Sequence, residues 1–573
     1  MKWRWWAVLG WVTAVGLAAE ELEPEAATGF EARGQAQGAE YMAATANPLA
    51  TRAAAEILAK GGSAVDAAIA AQMVLTLTEP QSSGIGGGLF MLLWDAKAEQ
   101  VLSLDGREVA PAKASPELFL DEKGQPLSWV ESVVGGRAVG VPGAVAALYE
   151  AHLGYGKLPW SSLFDEAITL AEQGFEVSPR LAGLLAREFN PGLKRPGVAH
   201  DYFAPNGQWL RAGDTLTNSA LALSLKRIAA QGPKGFYQGE LAQQMVTAVQ
   251  QDPDRPGLLT LEDLASYRPQ WRQPLCSAYR RHQVCGMAPP SSGGVAIAQI
   301  LTLLEPHDLS GISPTSADFT HLFSQASRIA YADRNRYAAD PDFIPVPVRQ
   351  MLDRDYLKGR GSALTAARDG GTALPGQFQQ QRAPDSTEEL SSTTHLVMAD
   401  KAGNVVSLTS SIEMGFGSTV MVGGFLLNNQ LTDFARDPGP ANAPLANRVE
   451  AGKRPRSSMS PTLVLNPAGE PWLAIGSPGG SRIIGYVSQA LVALMDFQLS
   501  PAEALALPRI SHRNDYLMLE SERTDPALPK AMEAMGYEVR QGALNSGIQL
   551  LMRTEQGWVG AADPRREGTA AGG

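Results

Sequence analysis

Cysteine is scarce here: Cys276 and Cys285 are the only two in 573 residues. No Cys-x-x-Cys and no His-Glu-x-x-His occurs, which argues against a zinc site, and no metal is expected. Basic residues are the minority, 48 Lys and Arg against 59 Asp and Glu, giving a formal net charge of −11. With no long basic run either, nucleic acid is not an expected partner. Long apolar runs are also missing. The stretch Trp5 to Leu17 has thirteen residues, too few to span a bilayer comfortably, and no later segment reads as transmembrane. Gly-x-Ser-x-Gly does not occur, so a serine-hydrolase elbow has no support. The glycine run Gly84-Ile85-Gly86-Gly87-Gly88 has Leu89 where a dinucleotide fingerprint needs its third glycine, and it leads into a strand. These glycines read instead as close backbone packing.

What is present begins with an address. Lys2 and Arg4 precede the apolar stretch, and small residues follow at Gly16 to Ala19, so residues 1–19 read as an export signal. Residues 20–40 are acidic and rich in Gly and Ala, a disordered leader by composition. An exported soluble protein is expected, periplasmic if the source is Gram-negative. The two cysteines flank Ser277 to Val284. A hairpin with Arg280-Arg281 at its tip sets them opposite each other, and an oxidising compartment favours a Cys276–Cys285 disulfide. Two buried free thiols are the alternative, since Arg-Arg is not a favoured two-residue turn.

Periodicity and punctuation give a strand at Met42 to Ala46, then helices at Pro48 to Ala59 and Ala64 to Leu77. Strands follow at Leu89 to Trp94 and Val101 to Leu104. The region to about residue 350 is mainly helical and includes Val295 to Leu304. Residues 371–392 are polar, with few large apolar side chains, and read as a loop or mobile segment. Then the pattern changes. A strand begins at Thr394, Asp400 to Asn404 is a turn, and Val405 to Thr409 returns. A hairpin centred on Ala402 places Ser411 opposite Thr393. Further strands read at Gly424 to Leu427 and Leu463 to Leu465, with a helix from about Ile483. Gly479-Gly480 at that helix start offers free N–H groups to an anion, or is an ordinary turn. Arg107, just after a strand, is a ligand-binding arginine or a surface ion pair.

Thr393 carries the chemistry if the chain is cut in front of it. A threonine hydroxyl is a poor nucleophile and needs a base. An N-terminal threonine brings its own α-amine, whose pKa of about 7.7–8.0 leaves a useful neutral fraction near neutrality. That amine exists only once the Ser392–Thr393 bond is broken. The plain alternative is that Thr-Thr-His merely starts a strand.

Several motifs in fixed order weigh against the plain reading. They are Asp105-Gly106-Arg107-Glu108 with Ala110 to Lys113, Pro289 to Gly294, Thr393-Thr394-His395, Leu426 to Phe434, Arg454 to Thr462, Gly476 to Arg482, and Asp563-Pro564-Arg565. Together, from about Ala43 to Glu567, the chain resembles the γ-glutamyltransferase (glutathione hydrolase) family of N-terminal-nucleophile hydrolases. The resemblance implies an α+β fold, a four-layer αββα sandwich built from one proenzyme. It implies self-cleavage between Ser392 and Thr393 into a large subunit (41–392) and a small one (393–573). Thr393 would be the nucleophile, and Gly479 and Gly480 the oxyanion hole. Arg107, Ser457 and Ser458 would hold the substrate α-carboxylate, and Gln430 and Asp433 its α-amine. The implied substrates are glutathione or another γ-glutamyl donor, with water, an amino acid or a peptide as acceptor. No cofactor is implied.

Two positions depart from the family pattern. Ser411 stands where threonine is common, keeping the hydroxyl without the methyl that fixes its rotamer. Glu413 stands where an asparagine often helps bind the α-amine. Two rival readings remain: a related amidase acting on glutaryl or other acyl amides, such as a cephalosporin acylase, and an unprocessed exported binding protein. Asp433 opposes the first, because a glutaryl group has no amine to pair with it.

Overall fold

The computed structural model describes residues 28–31, 34–378, 382–385, 387, 389, 390 and 392–573. The expected export signal, 1–19, lies outside them. Among the described residues, fourteen strands form two seven-stranded antiparallel sheets. In chain order these are β1 (Ala36–Gly38), β2 (Met42–Thr45), β3 (Gly88–Asp95), β4 (Gln100–Gly106), β5 (Gln270–Arg272), β6 (Leu275–Tyr279) and β7 (His282–Gly286). They continue with β8 (Thr393–Ala399), β9 (Val405–Ser411), β10 (Thr462–Leu465), β11 (Pro471–Gly476), β12 (Gln549–Thr554), β13 (Gly557–Ala562) and β14 (Thr569–Gly572). One sheet has the order β14-β2-β8-β9-β3-β4-β5, the other β1-β13-β12-β11-β10-β7-β6.

The sheets stack face to face, and helices cover both outer faces. On one side α1 (Pro48–Ala59) and α2 (Ala64–Thr78) lie on the sheet that holds β8 and β9. On the other, α3 (Gly293–Leu304), α4 (Ala317–Tyr337) and α5 (Ile483–Met495) form the outer layer. This is the expected α+β, four-layer αββα sandwich. Alternation along β8 builds it. Leu396 and Met398 face the helices with Met91 and Leu408, while Val397 and Ala399 face the second sheet with Leu463 and Ile475. Every position of β8 is buried, as a central strand with both faces covered requires. Helix α2 is mostly apolar and buried along its whole length, because further helices cover it from outside. Its start is fixed by a reciprocal cap between Ser63 and Asp66.

The β8–β9 turn is set by Asp400, whose Oδ1 accepts from the N–H of Ala402 (2.8 Å) and of Asn404 (3.0 Å). Two expectations change in detail. The end of the 20–40 leader is ordered: β1 pairs Ala36 with Gly560 and Gly38 with Trp558. Backbone pairing along an otherwise open sheet edge needs no apolar side chains, which is why composition pointed to disorder. The strand expected over 424–427 is only Phe425–Leu426, paired with Met421–Val422 outside both sheets.

Cys276 and Cys285 are direct cross-strand partners, with their sulfurs 2.06 Å apart in a disulfide. The unfavoured Arg280-Arg281 turn is held from outside. Arg280 has φ +53°, and its guanidinium donates to Asp496 Oδ1 (2.7 Å) and the Glu305 carbonyl (2.6 Å). Among the described residues, no helix is long and apolar enough to cross a membrane.

Candidate active site

Thr393 is the first residue of β8 and Ser411 the last of β9, and the register places them opposite each other. Thr393 is 3 % exposed. Its Oγ1 donates to Ser411 Oγ over 3.4 Å. Ser411 Oγ donates in turn to the carbonyl oxygen of Ser392 at 2.9 Å and accepts from the N–H of Glu413 at 2.8 Å. The hydroxyl of Thr393 and the carbonyl just before it thus share one hydroxyl bridge. The Ser392 hydroxyl donates to the Gln81 carbonyl at 2.5 Å. The glycine run before β3 backs this corner: a Cβ on Gly87 would lie 2.1 Å from the Ser411 carbonyl oxygen.

Arg107 follows β4 and is fully buried, so it is not a surface ion pair. Its Nη2 donates to Asp433 Oδ2 (2.5 Å) and to the Arg456 carbonyl (2.8 Å), and its Nε to the Pro455 carbonyl (3.2 Å). Asp433 Oδ2 also accepts from Gln430 Nε2 at 2.6 Å. Gln430 and Asp433 share a single helical turn, 430–433. The turn is fixed by Asn428, whose amide donates to the carbonyls of Gly86 and Gly140. Ser457 and Ser458 lie in a buried strip locked to the Pro289–Gly294 motif. Ser292 N and Oγ both donate to the Ser457 carbonyl, at 2.7 and 2.8 Å.

Charge is concentrated here among buried side chains. Burial pushes the Asp433 carboxyl up to about 6; Arg107 pulls against that and Glu389 adds to it. Glu413 is raised well above the usual carboxylate range, first by burial and then by the charge of Asp433. Its backbone is in the left-handed region, φ +78°, which is uncommon for glutamate. Glu108, with its carboxyl 3.7 Å from Arg107 Nη1, is pushed up to about 8 by burial, against the pull of Arg107.

One small cavity gathers these side chains. Arg107, Thr393, Ser411, Glu413, Gln430, Asp433, Ser457, Ser458 and Gly480 all line it. Gly479 directly precedes Gly480, with φ +136° and +55° respectively, at the approach to α5. The cavity has other walls that the sequence did not single out: Glu389 and Leu390. Residues 371–392 form no regular element among those described, as expected of a loop. Yet Asp385, Glu389 and Ser392 are buried. The segment is ordered by charge rather than by apolar burial: Asp385 and Glu389 both pair with Arg456, and Glu389 also with Arg334. Arg334 ends a long amphipathic helix and looks like an ordinary helix-end charge, so nothing in the sequence marks it. Beside this cavity lies a larger one of about 650 Å³, which shares Leu390 and Glu413 and includes Trp129 and Phe189.

Two stacked antiparallel sheets between helical layers, with a threonine heading a central strand inside a polar cavity, define an N-terminal-nucleophile hydrolase. The cephalosporin acylase from Bacillus halodurans has the same fold, with a TM-score of 0.84 and 29% identity over 95% of this chain and 97% of that one. The profile of the family described as Gamma-glutamyltranspeptidase matches residues 50–573. A glutathione hydrolase proenzyme of Bacillus subtilis (strain 168) is 37% identical, covering 93% of this chain and 92% of its own length. An acylase ACY 1 proenzyme of Pseudomonas sp. (strain SE83) is 36% identical, covering 93% and 94%. The chain belongs to the gamma-glutamyltranspeptidase family and is an enzyme of that family.

Proposed function

We propose that the chain cuts itself between Ser392 and Thr393 and then transfers or hydrolyses γ-glutamyl groups through Thr393. The observation that carries this reading is the shared hydroxyl bridge. Thr393 Oγ1, Ser411 Oγ and the Ser392 carbonyl form one hydrogen-bonded chain. Attack of Thr393 Oγ on the Ser392 carbonyl carbon breaks the Ser392–Thr393 C–N bond, the hydroxyl proton passing to the Thr393 nitrogen, and so converts the peptide into an ester while Ser411 stabilises the developing oxyanion. Water then hydrolyses the ester, leaving a carboxylate on Ser392 and a free amine on Thr393. The products are a large subunit ending at Ser392 and a small subunit, 393–573.

In the cut enzyme that amine is the base for Thr393 Oγ. The hydroxyl attacks the γ-carbonyl of the donor, and the N–H groups of Gly479 and Gly480 receive the oxyanion. The amine product leaves with the transferred proton. Water then releases glutamate from the ester, or an amino acid or peptide takes the γ-glutamyl group. Asp433, Gln430 and Glu413 supply acceptors for the α-ammonium, and Ser457 and Ser458 supply donors for the α-carboxylate. Neither stage needs a cofactor. Glutathione is the donor suggested by the relatives' names. The 650 Å³ cavity, with Trp129 and Phe189, suits the leaving group and the acceptor. Residues 1–19 would direct export, to the periplasm in a Gram-negative cell.

A glutaryl-type acylase is the second reading, favoured by the acylase relatives and by Glu413. Asp433 opposes it, since a buried carboxylate next to an uncompensated glutaryl chain gains nothing. Thr393→Ala tests the common ground. An uncut 573-residue precursor, less its signal, with no amidase activity is expected. A cut, active alanine variant would overturn the mechanism.

A further inference from the structure

We propose that Trp129 and Phe189 form an apolar subsite for the side chain of the substrate's amine half, that Arg436 meets the carboxylate of that half, and that Leu390 fills the subsite in the uncut chain. The inference rests on Thr393 carrying an acyl group and deepens that reading on the leaving-group side, whichever acyl group is carried. Trp129 and Val133 lie one turn apart on a short helix, Trp129–Val133, so they share a face. A reciprocal cap between Ser128 and Glu131 fixes the start of that helix. Phe189 meets Trp129 edge-on, with ring centroids 5.6 Å apart and planes at 69°. Its neighbour Asn190 donates to the carbonyls of Gly415 and Gly417, at 2.9 and 3.0 Å, which ties this wall to the strip that carries Glu413 and Met414. Trp129, Val133 and Phe189 all line the cavity of about 650 Å³, a size that holds a small organic ligand.

The chain itself shows what the subsite takes. Leu390, three positions before Thr393, packs with Trp129 and Phe189 against Val133, Val134 and Met414. Leu390 and Glu413 line both this cavity and the one that holds Thr393, so the subsite opens beside the nucleophile. A Cβ on Gly480 would lie 2.5 Å from the Glu389 carbonyl oxygen and 2.6 Å from that of Leu390. A donor therefore reaches Gly480 only when residues 389–390 are displaced. Displacement takes Leu390 out and leaves an apolar notch open to water, and a large apolar side chain on the amine half covers it again. Arg436, three residues after Asp433, lines the same cavity and is half-buried. Among the described residues its guanidinium has no hydrogen-bond or ion-pair partner. The carboxyl groups of the cavity are engaged elsewhere. Asp385 pairs with Arg456 Nη1 at 3.0 Å, Asp437 accepts from Gly439 N at 2.9 Å, and Glu413 accepts from Leu390 N at 3.3 Å. A planar guanidinium left open in the cavity wall suits a carboxylate. The ligand class is thus an amino acid or short peptide, joined through its amine, with an aromatic or large aliphatic side chain.

The test measures kcat/KM of the mature enzyme on three amides of one acyl group: γ-glutamyl-phenylalanine, γ-glutamyl-glycine and γ-glutamyl-phenethylamide. The first has side chain and carboxylate, the second only the carboxylate, and the third only the side chain. Wild type should prefer the phenylalanine compound to the glycine compound by at least about tenfold. Trp129→Ala and Phe189→Ala should each cut that preference, to a few-fold or less. Arg436→Gln should instead lower the ratio of phenylalanine to phenethylamide about threefold to tenfold, with the ratio of phenylalanine to glycine kept. A wild type without the phenylalanine preference, or variants that lose equally on all three compounds, overturns the subsite. A wild type that cleaves only the matching glutaryl amides defeats the γ-glutamyl reading alone, and the same ratios in the glutaryl series still decide the subsite. A wild type that is cut but inert toward both series defeats both. If Trp129→Ala stays uncut, Trp129→Leu is measured in its place. It keeps an apolar wall without the ring, and the phenylalanine to glycine ratio should fall to a smaller degree.

Discussion

Replacing Ser411 by alanine should stop the chain from maturing at a useful rate. In the uncut chain Ser411 Oγ is the donor to the Ser392 carbonyl oxygen, at 2.9 Å, and the acceptor for Thr393 Oγ1, at 3.4 Å. The first bond shortens as the carbonyl oxygen gains charge, and the second orients the attacking hydroxyl. Losing one donor to an oxyanion costs about a hundredfold to a thousandfold in rate, or about 2.7–4 kcal/mol. The change also removes the acceptor for Glu413 N, leaving a buried N–H unpaired at a stability cost of about 1–3 kcal/mol. The assay is a time course of precursor and fragments on a denaturing gel, with Tm recorded for each protein. Ser411→Ala should cleave at least about a hundredfold more slowly with a modest Tm loss. Ser411→Thr keeps the hydroxyl and adds a methyl that restricts its rotamer, so it should cleave at or above the wild-type rate. If Ser411→Ala cleaves within a few-fold of wild type, Ser411 does not stabilise the transition state, and the proposed cleavage chemistry fails.

Two further outcomes are best read in a Thr393→Ala background, which holds the chain in the uncut form. Glu413→Asn places a residue tolerant of the left-handed region where φ is +78°. It also removes a buried carboxyl, so Tm should rise, by an amount equivalent to about 1 kcal/mol; a fall in Tm would show that Glu413 is held by contacts worth more than the strain. Glu108 is pushed up to about 8 from its ordinary 4.5. Its folded-state pKa therefore exceeds the unfolded one, and its contribution to stability is lost as pH rises from about 4.5 through about 8. Glu108→Gln cannot ionise, so it should lose less Tm than its parent between pH 5 and pH 8, whereas parallel Tm–pH curves would show that Glu108 does not titrate there.

The central hairpin and the buried helix were legible because each left a local mark. The alternation after Thr394 and the turn at Asp400 to Asn404 gave the hairpin, and with it the Thr393–Ser411 pairing. The apolar Ala64 to Leu77 run gave the buried helix. Arg107, Gln430, Asp433, Ser457 and Ser458 came from motif resemblance, since nothing in their spacing brings residues 107 and 433 together. Other features left no mark. β1, β5 and β14 depend on partners far away in the chain. The Arg280-Arg281 turn defies local turn preference because Asp496 and Glu305 hold it. Residues 371–392 read as a loop or mobile segment, because burial of charge against Arg334 and Arg456 is invisible to a count of apolar side chains. Glu413 read as an odd substitution; its strained backbone appears only in three dimensions.

The most direct experiment is an intact mass of the purified protein with N-terminal sequencing of every fragment. Two pieces, one beginning Thr393-Thr394-His395, are expected, and a γ-glutamyl analogue that traps the ester should add its mass to that piece alone. A single uncut chain, or a label on the larger piece, would contradict the assignment of Thr393 as the nucleophile.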